Sequence, residues 1–128
     1  MNPGVIRVTR TLPIDGALLS DVLLRLRRDT DGAVVRWTLG DRGAVEVDAH
    51  FASEGAAWVT AGRIWNDGGL TNVRLRVAAT SDDAVDLMLT STDPGTRAGL
   101  DDLAHAVVDE LAEELLWHAA RAGVTRQY

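Results

Sequence analysis

The chain has 128 residues, a net charge of −6 and no cysteine, and all 13 of its basic residues are arginine. At this length one domain buries about two thirds of its unfolded surface, so residues 1–128 are expected to form a single domain. Disulfides, thiolate metal sites and cysteine nucleophiles are excluded by composition, and the scattered arginines on an acidic chain exclude a nucleic-acid partner.

No apolar run approaches the ~20 residues of a membrane span, and Met1 to Gly4 lacks the basic-then-apolar layout of a signal peptide. A cytoplasmic location is the expectation. Val5 to Leu12 alternate and are β-branched, and Pro13, which offers no ladder donor, ends this first strand. Asp15 then caps a helix that sets Leu18, Leu19, Val22, Leu23 and Leu26 on one face, and Asp21, Arg25 and Arg28 on the other. This helix ends near Thr30-Asp31-Gly32.

From Ala33 to Thr92 the period becomes two, with turn chemistry at Gly40-Asp41-Arg42-Gly43, Ser53-Glu54-Gly55, Asn66-Asp67-Gly68-Gly69 and Thr80-Ser81-Asp82-Asp83. Five hairpin-linked strands follow. Val45, Val47, Ala49 and Phe51 form one inner phase, Val73, Leu75 and Val77 another, and Val85, Leu87 and Leu89 a third. The segment Ala57 to Trp65 is ambiguous: one phase offers Val59, Ala61, Arg63 and Trp65, the other Trp58, Thr60, Gly62 and Ile64. A bulge at Gly62 would switch between them. After Asp93-Pro94-Gly95 a long helix runs from about Gly99 to Ala122, with Leu100, Leu103, Ala104, Val107, Leu111, Leu115 and Ala119 on one stripe and Gly123 as its stop. The fold class is therefore α+β: an antiparallel sheet of about six strands (strand, helix, five-strand meander) packed on a long C-terminal helix.

With Leu12-Pro13-Ile14-Asp15 leading from the first strand into a helix, and Leu103 to Arg121 as the closing helix, the chain resembles the START-like superfamily, also called helix-grip or Bet v 1-like, which includes polyketide cyclases. The resemblance covers nearly the whole chain, through element order and without a short motif. It implies a sheet curved around the C-terminal helix and an apolar cavity between them. Such cavities carry lipids, steroids or polyketides, and in some members serve cyclisation or hydrolysis. One helix stands between Pro13 and Ala33 where the family usually has two, and six strands where it usually has seven, which implies a smaller or more open cavity.

Glu114 and His118 are four residues apart and share a helix face. His118 falls in register with Leu100, so the apolar stripe carries an imidazole with a carboxylate at its edge. Inside a cleft this is a workable catalytic acid/base pair; at a wet helix end it is a solvated histidine that favours the C-terminus. A cavity between sheet and helix would take its ligand-binding lining from Trp37, Phe51, Ala61, Arg63, Trp65, Ala104, Leu111 and Leu115, mixing large and small side chains. Arg63 would supply a cation for a substrate carboxylate or enolate. His50, Asp48 and His105 lack the spacing for a metal site with the Glu114–His118 pair, so no metal and no cofactor is expected. His50, Glu46 and Asp48 read as a charged outer sheet face, and Asp101, Asp102, Asp109, Glu110 and Glu113 as a solvated helix flank.

Two functions follow. The first is an apolar small-molecule binding or cyclase-like domain. The alternative is a homodimeric interaction or small chaperone-like module: if Val59 and Ala61 face the core, Trp58 and Ile64 stand outside and form a dimer surface on the sheet.

Overall fold

The computed structural model describes residues 6–29, 34–38, 43–66, 69–91 and 100–126, excepting the side chains of 29 and 124–126. The expected helix end at Thr30-Asp31-Gly32, the turn residues Gly40, Asp41, Arg42, Asp67 and Gly68, and the Asp93-Pro94-Gly95 break lie outside the described residues.

The chain runs through β1 (Ile6–Leu12), a 3-10 turn (Gly16–Leu18), α1 (Leu19–Asp29), β2 (Val34–Thr38), β3 (Ala44–Asp48), β4 (Ala52–Glu54), β5 (Ala57–Asn66), β6 (Gly69–Ser81), β7 (Ala84–Ser91) and α2 (Leu100–Arg126). These are the elements in the expected order, with seven strands rather than six. All pairings are antiparallel, in the order β1-β7-β6-β5-β3-β2, and β4 also pairs with β5.

The seventh strand arises because the segment from Ala44 to Glu54 is broken. Val47 stands opposite Gly62 and Ala52 opposite Val59, so the four residues Asp48 to Phe51 face only Thr60 and Ala61. Side chains alternate with period two, and an excess of two residues therefore leaves the phase intact. Val45, Val47, Ala49 and Phe51 all stay buried on the inner face. The break disturbs the ladder, and side chains repair it: the Thr60 hydroxyl donates to the Asp48 carbonyl at 2.9 Å, and the Asp48 carboxylate accepts from the His50 N–H at 2.9 Å.

β5 itself has no bulge. Its ten residues pair with β6 in one unbroken register from Ala57↔Ala78 to Asn66↔Gly69. The inner phase is Trp58, Thr60, Gly62 and Ile64, and Ala61, Arg63 and Trp65 face outward. Gly62 is inside because its neighbours need the space: an added Cβ would stand 3.1 Å from Val73 Cγ2 and 3.3 Å from Glu46 O. The outward Arg63 joins Arg36 on Glu46, at 3.1 and 2.7 Å, as an ion-pair ladder across β5, β3 and β2.

Asp15 caps as expected, its carboxylate accepting from the Ala17 N–H at 2.9 Å, but the first turn it caps is 3-10. Gly16 lies against the β6–β7 hairpin, donating to the Asp82 carbonyl at 3.0 Å, and a Cβ there would stand 3.0 Å from that of Ala79. α1 then packs along α2, which crosses β1 and β7. Arg10 of β1 reaches Asp109 of α2 at 2.9 Å. α2 continues through Gly123 to Arg126, beyond the expected stop; a glycine inside a helix costs only about 1 kcal/mol.

Leu103, Val107, Leu111 and Leu115 of α2 share one buried cluster with Val47, Phe51, Leu75 and Leu87 of the sheet. Val107, Leu111, Leu115, Leu75, Leu87 and Leu89 have no exposed surface at all. A residue beside a void wide enough for water would retain some, so the layer at these positions is filled. Leu111→Ala should accordingly cost about 2–5 kcal/mol in urea unfolding; a loss under about 0.5 kcal/mol would show that α2 is not docked there.

Candidate functional site

A filled layer cannot hold a guest among Ala104, Leu111 and Leu115, each no more than 1% exposed. The central-cavity expectation is corrected at these three residues. Ala61, Arg63 and Trp65 are corrected as well: they stand on the outer face, where Trp65 is 39% exposed and paired with Leu70, which is more open still. Phe51 is buried and Trp37 half-buried against the core. Of the expected lining, Trp37 on β2 and Phe51 in the break between β3 and β4 thus keep an inward position.

The open space lies at the side of that layer. A groove of about 520 Å³ is bordered by Leu26 of α1, Val35 of β2, and Glu110, Glu113, Glu114, Trp117 and His118 of α2. The five α2 residues recur at spacings of three, one, three and one, which puts them on one helix face over two turns. That spacing was the available signal, and it places Glu110 and Glu113 on the groove rather than on a purely solvated flank. Leu26 and Val35 could not be assigned to it from sequence, because their inward positions look like those of any core residue.

His118 is only 2% exposed. The face of α2 that carries His118 is covered, not wet, and α1 packs beside that helix. Its Nε2 lies 3.8 Å from Glu114 Oε2, close enough for an ion pair whenever the imidazole is protonated. The Trp117 ring meets His118 edge-on, with centroids 4.8 Å apart and planes at 84°. The Arg121 guanidinium carbon stands 4.5 Å above the centre of the same indole. Trp117 is itself 51% exposed and forms the rim. The arrangement offers an apolar wall, a buried imidazole and three carboxylates. Polar guests with hydrogen to donate suit it, and anions do not.

His105 is exposed, with Nδ1 2.9 Å from the Asp101 carbonyl, as expected of a surface residue. Among the described residues no group of three or more His, Asp or Glu is placed to hold a metal ion, and no helix is long and apolar enough to cross a membrane.

The architecture, an antiparallel sheet gripping a long C-terminal helix with a shorter helix beside it, is the helix-grip fold. The START superfamily protein from Mycobacterium smegmatis shares it, with a TM-score of 0.51 at 12% identity over 91% of this chain and 97% of that one. The Zhui aromatase/cyclase from a Streptomyces species is similar at a TM-score of 0.34 and 16% identity, over 92% of this chain and 89% of its own. Ara h 8.0201 is similar at 0.41 and 14%, over 97% of this chain and 98% of its own. No protein-family profile and no curated protein matches the sequence.

The inner phase of β5 also removes the basis for a dimer at Trp58. Trp58 is partly buried against the core, and Ile64 is 1% exposed. Trp58→Arg should therefore lower stability by about 1–3 kcal/mol in urea unfolding, with no dissociation in light scattering; a halved mass at unchanged stability would contradict the assignment.

Proposed function

We propose that the protein binds a small molecule with an apolar body and a polar, non-anionic group in the groove beside His118. The observation that carries this reading is the buried imidazole opening onto a space of about 520 Å³. Ligand pockets typically hold about 300–1,000 Å³ and combine apolar walls with a few polar groups, as Leu26, Val35, Trp117 and the Glu114–His118 pair do here. The helix-grip fold, used by hydrophobic-ligand-binding and cyclase proteins, supports the same reading.

The apolar body of the guest rests on Leu26, Val35 and the Trp117 ring. His118, held by Glu114, orients a hydroxyl or carbonyl of the guest by hydrogen bonding. The same pair is a proton donor and acceptor, so a proton transfer to an enolisable guest is the catalytic role open to it. Orientation is the role that the geometry needs least to achieve, since it requires no second reacting group.

A neutral, environment-sensitive naphthalene dye tests the reading. It should bind saturably and quench tryptophan emission, and Trp117→Ala at the exposed rim should weaken it by about tenfold. A sulfonated analogue should bind more weakly than the neutral dye, and His118→Gln should change the preference between hydroxylated and plain guests. Absence of saturation, or indifference to Trp117→Ala, would refute the site.

A further inference from the structure

The outer face of the sheet carries an apolar patch that takes no part in the groove at His118. Trp65 and Leu70, 39% and 46% exposed, stand opposite each other on β5 and β6, and their row continues through Ala44 of β3 to Thr38 of β2. The next row of the same face reads Arg36, Glu46, Arg63 and Asn72 from β2 to β6. We propose that this face is a homodimer interface: a second copy of the chain lies on it about a twofold axis that runs along the strands between β3 and β5.

Self-complementarity carries the proposal. A twofold axis in that direction keeps each row on itself and reverses its order. In the first row it sets Trp65 on the partner's Ala44 and Leu70 on the partner's Thr38, so that each large side chain meets a small one. Sheets packed face to face stand about 10 Å apart, and a large residue over a small one fills that gap. In the second row the axis sets Arg63 on the partner's Glu46 and Glu46 on the partner's Arg63. An axis between β5 and β6 would instead stack Trp65 on the partner's Leu70, and Arg63 on its Asn72 with no ion pair.

The local structure suits both kinds of contact. Glu46 Oε1 accepts from Arg63 at 3.1 Å and Oε2 from Arg36 at 2.7 Å, which leaves each oxygen a lone pair for the facing guanidinium. The indole stands on backbone that is held in place: β5 pairs with β6 in unbroken register, and an added Cβ at Gly43 would run into the Trp65 carbonyl. The acidic residues from Asp101 to Glu114 lie in α2, on the opposite side of the sheet, so face-to-face pairing keeps the like charges of two copies apart.

Sedimentation equilibrium over a range of protein concentrations should give twice the 13.8 kDa of one chain, and the unfolding midpoint should rise with concentration. Trp65→Thr, at an exposed strand position, should weaken association at least about tenfold. Glu46→Arg and Arg63→Glu should each yield monomers, because each sets like charges face to face across the axis. Mixed in equal amounts these two variants should dimerise again, since every facing pair is then an arginine and a glutamate. Glu46→Arg and Arg63→Glu combined in one chain restore the pairing within the chain as well as across the axis, and that double variant should be dimeric. The proposal is overturned if the wild-type chain sediments as a monomer throughout or with a mass that grows past the dimer, if Trp65→Thr leaves association unchanged, or if either the mixture or the double variant stays monomeric.

Discussion

Leu103, Val107, Leu111 and Leu115 repeat every four residues along α2, and each is buried against side chains that repeat every two residues along the sheet. Each element presents one apolar surface, and neither is stable alone with that surface in water. Their contact fixes the position of α2, and α2 in turn fixes where Glu110, Glu113, Glu114, Trp117 and His118 can be. Because the layer is filled at its centre, open space lies where elements end or break. The groove at His118 lies where α1 and β2 meet the second half of α2. A recess of about 280 Å³ at Trp58 lies where one strand becomes two.

The polar groups inside the sheet are the other consequence of that contact. Thr60 occupies an inner position of a central strand, which costs free energy unless its hydroxyl is bonded. The break between β3 and β4 supplies carbonyl acceptors at Asp48 and His50, 2.9 and 3.4 Å away. Irregular backbone and buried threonine thus satisfy each other. Gly62, two residues further, gives its volume to Val73 and Leu75.

These compensations explain which parts of the fold were legible in the sequence. β6, β7 and α2 follow plain periodicity, and their inner residues were assigned correctly; β1 was read as a strand without an inner phase. In β5 the inner phase carries Thr60 and Gly62, while the outer carries Val59, Ala61 and Trp65, so hydrophobicity alone gave both phases equal support. What decides the phase is the partner of Thr60 and the neighbours of Gly62, neither of which a local pattern records. Phe51 and Trp37 were placed inward correctly, and the Glu114–His118 pair was found from its spacing. The central cavity was not legible, because mixed large and small inner residues describe close packing as well as they describe a void. Only the absence of exposed surface at Leu111 and Leu115 separates the two.

In the proposed mode of binding a guest sits at the side of the sheet–helix layer and not in its middle. Intermolecular nuclear Overhauser effects between a bound neutral naphthalene and the methyl groups of the protein measure this directly. Contacts are expected to the methyls of Leu26 and Val35, and none to those of Leu75, Leu87, Leu111 or Leu115. Contacts to Leu111 and Leu115, with Leu26 and Val35 silent, would place the guest inside the layer and contradict that mode.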